Sequence, residues 1–194
     1  MAFLVSDLRQ QILYTAKILF IQQGYHGLSM RQIAEALGVS KAALYYHFRD
    51  KEELLLAILD SYLDEMDTAL QAIRQEQLDA RRQIHALVEL ILFQPADQRA
   101  VIRLSSQEMA QLSLPARQAF DRAYHRKFLD PIRLILEEGI QSGELRPVDP
   151  TVATWALLGM MYPYFYPAHS GDLLPPAEVA ERLVQIFLDG IALP

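Results

Sequence analysis

The chain of 194 residues has no cysteine. That excludes disulfide scaffolds, thiolate zinc sites, iron–sulfur clusters and cysteine nucleophiles together, and it suits a reducing compartment. Glycine (8 residues) and proline (10) are sparse, whereas 52% of residues are apolar. A disordered chain could not bury that much apolar surface, so one globular unit, or two small ones sharing a core, is expected. Long apolar runs are also scarce. The opening MAFLVSDLRQ is interrupted by Asp7 and Arg9, which predicts no export signal. The stretch Pro150 to Gly171 lacks Asp, Glu, Lys and Arg, and its length alone would cross a bilayer. Pro163, Pro167, His169 and the alternating tyrosines of MYPYFYP oppose that reading. So do the acidic flanks Asp149 and Asp172, where a cytoplasmic anchor prefers Lys or Arg. A buried protein helix is expected there, in a cytoplasmic protein that does not enter a membrane.

Catalytic patterns are missing as well. There is no glycine-rich phosphate loop, no G-x-S-x-G and no H-E-x-x-H, and His26, His47, His85, His125 and His169 never pair at helical ligand spacing. Glu137 and Glu138 adjoin no helical histidine, so a di-metal carboxylate bundle is unsupported. Neither an enzyme nor a metal or cofactor is expected.

What is present is an asymmetry of charge. The formal net charge is −6, which taken as an average argues against binding phosphates. Residues 1 to 51 nevertheless carry six cations (Arg9, Lys17, Arg31, Lys41, Arg49, Lys51) against three anions (Asp7, Glu35, Asp50). This segment is therefore +3 and the remainder −9. A small basic head on an acidic body is a layout that docks DNA with one end.

Apolar residues recur at spacings of three and four, never as a series of alternating strands, so the fold is expected to be all-α. A first helix is expected over Asp7 to Gln23, with Leu8, Ile12, Ala16, Leu19 and Phe20 on one stripe and Gly24 releasing the chain. Ser29 and Gln32 form a capping box ahead of a short helix, Met30 to Leu37. Gly38 supplies the turn, and Ser40 caps a second short helix, Lys41 to His47, closed by Phe48. Asp50 with Glu53 opens a long helix to about Gln77. Further helices are expected at about Ala80 to Phe93, Asp97 to Gln111, Pro115 to Ser142, Pro150 to Tyr166 and Pro176 to Leu193, about nine in all. Pro131 predicts a kink or break near Asp130.

Ser29 to Phe48 has the spacing of a helix-turn-helix, with Ile33, Leu37, Val39 and Leu44 packing and small Ala34 permitting close approach. A plain αα-hairpin has the same spacing. The solvent face of the second helix decides between them. It offers Ser40, Lys41, Ala42, Tyr45, Tyr46 and His47 without one acid, whereas a merely solvated face mixes both signs.

These residues resemble the TetR family of bacterial transcriptional regulators. The likeness runs from about Arg9 to Leu54, through IL..A..LF..GY, S.RQIAEALGVSKAALYYHF and RDKEEL, and extends to GELRP before a late apolar helix. It implies an N-terminal three-helix head that binds DNA, residues 1–50, and a C-terminal helical bundle, residues 51–194, for ligand and dimerisation. It further implies that Lys41, Ala42 and Tyr45 face base edges in the major groove. Ser29, Ser40, Tyr46, His47 and Lys51 would hold phosphates, with Arg31 reaching backbone or base. Alternatively, His47 caps its own helix, one of the tyrosines turns inward to pack, and Lys51 pairs with a neighbouring carboxylate.

One head reads few base pairs, so a two-fold homodimer on a double-stranded operator is expected. Candidate interface residues are Trp155 and Gly159, then Leu183, Val184, Phe187 and Ile191; intramolecular packing is the competing explanation. For a small-molecule effector, apolar or aromatic, the candidate lining is His85, Phe93, Met109, Phe120, Tyr124, Phe128, Trp155, Met160 and Tyr162. Repression is expected over activation, because no further domain is present to recruit polymerase. The alternative is a helical ligand-binding or interaction protein without DNA function.

Overall fold

A computed structural model describes residues 2–76, 78–165 and 174–191, with side chains left out at 2–7, 96, 165, 176 and 191. Among the described residues every regular element is helical. The α-helices are α1 (Ala2–Gln23), α2 (Met30–Leu37), α3 (Lys41–His47), α4 (Lys51–Gln75), α5 (Ala80–Leu92), α6 (Ala96–Glu108), α7 (Leu114–Tyr124), α8 (Asp130–Gln141), α9 (Pro150–Met161) and α10 (Pro176–Ile191). Short 3-10 turns follow α6 (Met109–Gln111) and α9 (Tyr162–Phe165). A π-turn, His125–Leu129, joins α7 to α8. Counted as one continuous rod, α7 to α8 brings the total to the nine helices expected. The expected helix end at Tyr166, and the ends at Gln77 and Leu193, lie outside the described residues.

The irregularity expected near Asp130 takes the form of this π-turn, which ends directly before Asp130 and Pro131. The Pro131 ring would press on the carbonyl four residues back, and the residue has no N–H to donate. The π-turn immediately upstream re-pairs the ladder, with Asp130 N–H donating to His125 O, five residues back. No helix among the described residues is long and apolar enough to cross a membrane. The charge-free stretch begins with the twelve-residue α9, capped by the Asp149 carboxylate, which accepts from Val152 N at 2.9 Å.

The chain divides into two compact units, residues 1–62 with 96–122 and residues 63–95 with 123–194. In the first, α1 turns Ile12, Ala16 and Phe20 to one side at four-residue spacing, each fully buried. They meet Ile33 and Ala34 of α2, Leu44 of α3, Phe48, Leu54 and Ile58 of α4, and Val101 and Leu104 of α6. In the second unit α5 packs on α8 and α10, and α8 on α9. Gly139 is the close point there. A Cβ on it would lie 2.7 Å from the Ala80 Cβ and 2.8 Å from Leu145 Cδ1, so glycine sets how near α5 and α8 run. The Ala80 N–H donates to the Glu144 carboxylate at 2.7 Å on the same seam.

Candidate nucleic-acid interface

The geometry of the head follows from its caps. Ser29 closes the capping box as read: Gln32 N–H donates to its Oγ at 3.3 Å, and Ser29 N–H donates to Gln32 Oε1 at 2.9 Å. Gly38 takes φ 68°, ψ 26°, a left-handed conformation that side-chain-bearing residues resist. This lets the chain reverse after one residue, with Val39 N–H reaching Ala34 O at 3.0 Å. Ser40 Oγ then accepts from Ala43 N at 3.1 Å and starts α3.

Within α3, Leu44 and Phe48 sit one turn apart and are buried at 0% and 1% exposure. With those two facing in, the intervening residues rotate outward by about 100° each. Tyr45 is 51% exposed and Tyr46 77%, which goes against the alternative in which one of them packs inward. Lys41 and Ala42 are exposed, and Lys41 makes no hydrogen bond or ion pair among the described residues. His47 is half-buried, its ring edge-on to Tyr46 at 5.2 Å. The outer surface of α3 is therefore one cation, a methyl and two phenols, with no acidic residue among them.

The flanking cations are engaged. Arg31 Nε donates to Glu35 at 2.7 Å and Arg49 Nε to Asp50 at 2.9 Å, both on the surface. A phosphate can displace such exposed carboxylates at little cost. The Asp50 carboxyl is held below the ordinary carboxylate range chiefly by the Glu53 N–H, the cap of α4. Lys51 is engaged within its own protein. Its Nζ donates to the carbonyls of Tyr25 (2.6 Å) and Leu28 (2.8 Å) and stands 4.1 Å from the centre of the Tyr25 ring. Its pairing is with a loop and not with Asp50 or Glu52.

Sequence reasoning missed the ties that hold this head to α6 and the start of α7. Glu108 Oε1 accepts the Tyr25 N–H at 3.0 Å, Lys17 pairs with Asp97 at 2.9 Å, and the Glu52 carboxylate accepts from Ser113 N–H and Oγ at 2.6 and 2.9 Å. Arg9 lies over the Phe48 ring at 5.2 Å. Each joins residues 39 to 83 apart in sequence, beyond the reach of any local periodicity.

The candidate effector residues are dispersed. Met109 and Phe120 pack on the core of the first unit. In the second unit the structure joins Tyr124 to Phe128, rings 5.3 Å apart, and burial pushes the Tyr124 hydroxyl up to about 12. His85 sits 3.5 Å from Glu89, and Met160 is half-buried. Phe93, Trp155 and Tyr162 are exposed. A cavity of about 130 Å³ in the first unit, between α1 and α6, is lined by Phe20, Ile21, Gly24, Arg103, Leu104 and Glu108 among others; none of the candidate residues lines it.

The interface candidates also separate. Leu183, Val184 and Phe187 are buried within their own protomer, because at positions i, i+1 and i+4 they share the inward face of α10. Trp155 and Gly159 of α9 are exposed, and a Cβ on Gly159 would meet nothing. Val152 and Ile186 are open as well, at 67% and 62%. The side chain of Ile191 lies outside the described residues.

Comparison with known proteins agrees with this geometry. Residues 12–58 match the family model of bacterial regulatory proteins, tetR family, and residues 77–191 match a tetracyclin repressor-like C-terminal domain. The transcriptional repressor KstR2 of Rhodococcus jostii is 26% identical over 97% of this chain and 93% of its own length. The regulator RutR of Escherichia coli K12 is 33% identical over 75% of this chain and 68% of its own. A crystal structure of AibR with isovaleryl coenzyme A and operator DNA is 29% identical, has a TM-score of 0.71, and is matched over 92% of this chain and 96% of that one.

Proposed function

The chain belongs to the TetR family of bacterial transcriptional regulators, DNA-binding proteins that respond to ligand, and we propose that it is a homodimeric repressor released from an inverted-repeat operator by a small effector. The observation that carries the reading is the outer face of α3. It is free of acids and held rigid by Leu44 and Phe48, and it presents Lys41, Ala42 and Tyr45 as base readers. Around it Ser29, Arg31, Ser40, Tyr46 and His47 serve phosphates, fixing position without reading sequence. The working division is a head of residues 1–50 and a body of 51–194.

Two heads are needed for useful specificity, and Trp155 and Gly159 supply the open apolar surface on which two copies join. For the effector we propose a molecule with an apolar or aromatic part, bound in the body near Tyr124 and Phe128. That AibR is seen with isovaleryl coenzyme A makes acyl thioesters the first class to assay. Release follows if the effector prefers the dimer whose α3 helices no longer match successive major grooves.

The test is selection of bound fragments from sheared genomic DNA of the source organism at two salt concentrations. An enriched inverted repeat with steep salt dependence is expected, and its release by acyl thioesters can then be assayed. A folded dimer that enriches nothing at either salt would overturn the reading.

A further inference from the structure

The loop between α1 and α2 has no regular structure of its own, yet its peptide groups are gripped from several sides. The Leu28–Ser29 peptide is held at both ends: its carbonyl accepts from Lys51 Nζ at 2.8 Å, and its N–H donates to Gln32 Oε1 at 2.9 Å. Tyr25 is held likewise. Its N–H goes to Glu108 at 3.0 Å and its carbonyl to Lys51 at 2.6 Å. Its ring stacks on Phe20 at 6.0 Å and carries the Lys51 ammonium on one face. Gly24 takes φ 70° where a Cβ would stand 3.2 Å from Glu108, so the α6 carboxylate and the loop are closely apposed.

A lysine has three donors, and here two are used on carbonyls within its own protein. Burial lowers the Lys51 pKa, against the opposing pull of Glu108; an ammonium extended towards phosphates would stay in water. We propose that Lys51 serves DNA binding as a positioning residue. It fixes the Tyr25–Leu28 loop, and through it Ser29 and the start of α2, instead of meeting a phosphate. Glu108 is its counterpart, holding the same loop from α6. This rests on the DNA-binding reading above.

A phosphate contact and a positioning residue differ in salt dependence. Removing a phosphate contact lowers the slope of log K against log salt by about 0.9, whereas removing a positioning residue lowers affinity and leaves the slope alone. The measurement is binding of wild type, Lys51→Met and Glu108→Ala to a mixed-sequence duplex of about 30 base pairs between roughly 50 and 300 mM salt. Amide hydrogen exchange is followed at residues 24 to 29 in the DNA-free proteins, with folding checked by circular dichroism. Lys51→Met is expected to bind about tenfold more weakly at every salt, as the loss of charged hydrogen bonds implies, with an unchanged slope and faster exchange in the loop.

Glu108→Ala gives a test of sign. It removes an anion, so charge alone predicts tighter binding, whereas loss of positioning predicts weaker binding and faster loop exchange. It also decides the matter should Lys51→Met fail to fold. A reduced slope with unaltered loop exchange in Lys51→Met, or tighter binding by Glu108→Ala, would overturn the positioning role while leaving the DNA-binding reading intact. A wild type that shows no salt-dependent binding would remove both.

Discussion

Two faces of this protein are left open, and they are open in different ways. The outer side of α3 carries Lys41, Ala42, Tyr45 and Tyr46. The outer side of α9 carries Val152, Trp155 and Gly159, and Ile186 of α10 is exposed too; none of these is a lysine or arginine. Both expose aromatic rings, so exposure of apolar area does not tell them apart. Their polar content does. A cation and phenol hydroxyls can replace water at phosphates and base edges, whereas a face of Val, Trp and Gly gains only by excluding water against a similar surface. The first suits a polyanion and the second another copy of the same chain.

The largest effect that would break this contrast comes from charging the apolar face. The double variant Trp155→Glu with Ile186→Glu is expected to be monomeric by analytical ultracentrifugation and to keep its helical circular dichroism. Its operator affinity should fall about a hundredfold or more, because one head then binds without its partner. A dimer that survives both charges would place the interface elsewhere.

How much of this was legible differs between the two regions for a physical reason. The head is built from local devices, namely Ser29 with Gln32, Gly38, Ser40 and Asp50 with Glu53, each spanning a few residues. Both short helices appear over the residues expected. The outward turn of Tyr45 and Tyr46 was also implicit, once Leu44 and Phe48 are assigned inward. In α9, by contrast, residues are apolar almost all round, so periodicity could not say which side is covered; α10 does carry a clear apolar stripe, but a stripe does not say whether its own protomer or a second copy covers it. Hence Leu183, Val184 and Phe187 looked as suited to an interface as Trp155, although the structure buries them at 8%, 3% and 6%. The partners of Lys51 were illegible for a related reason: the two carbonyls lie 23 and 26 residues away, and a carbonyl leaves no mark in a sequence.

The Tyr124–Phe128 pair of the second unit sharpens the comparison. The Tyr124 hydroxyl is raised from 10.0 to about 12 by burial. Above pH 10 the unfolded chain loses this proton first, so folding stability falls as pH rises towards 12. The loss from this group is on the order of a few kcal/mol at most. Below pH 10 both states keep the proton and the group contributes nothing to pH dependence. Urea melts at pH 9, 10.5 and 11.5 should show a shallower alkaline decline for Tyr124→Phe than for wild type.

Gly139→Ala tests packing in the same unit. The added methyl meets the Ala80 Cβ at 2.7 Å, and the seam between α5 and α8 must open. A loss of about 1–3 kcal/mol in chemical denaturation is expected. On the other open face, Lys41→Ala should cost about 1–2 kcal/mol in binding to the selected operator and little in thermal stability, since the side chain is exposed and makes no hydrogen bond or ion pair among the described residues. The smallest effect is expected from Ser40→Ala, which removes the Oγ that accepts from Ala43. It should cost about 1 kcal/mol in thermal unfolding, with a modest loss of binding as α3 frays.

The π-turn at His125–Leu129 has a consequence for reading ancestry. One residue more than an α-turn requires is accommodated there, so every side chain after Leu129 is rotated about 100° from where an uninterrupted α-helix would put it. A relative that lacks the turn should align with this chain only by a single-residue gap between positions 125 and 129. Without that gap, each buried position of α8, Ile132, Ile135 and Leu136 included, would be matched to a surface position in the relative, and a shared core would pass for divergence.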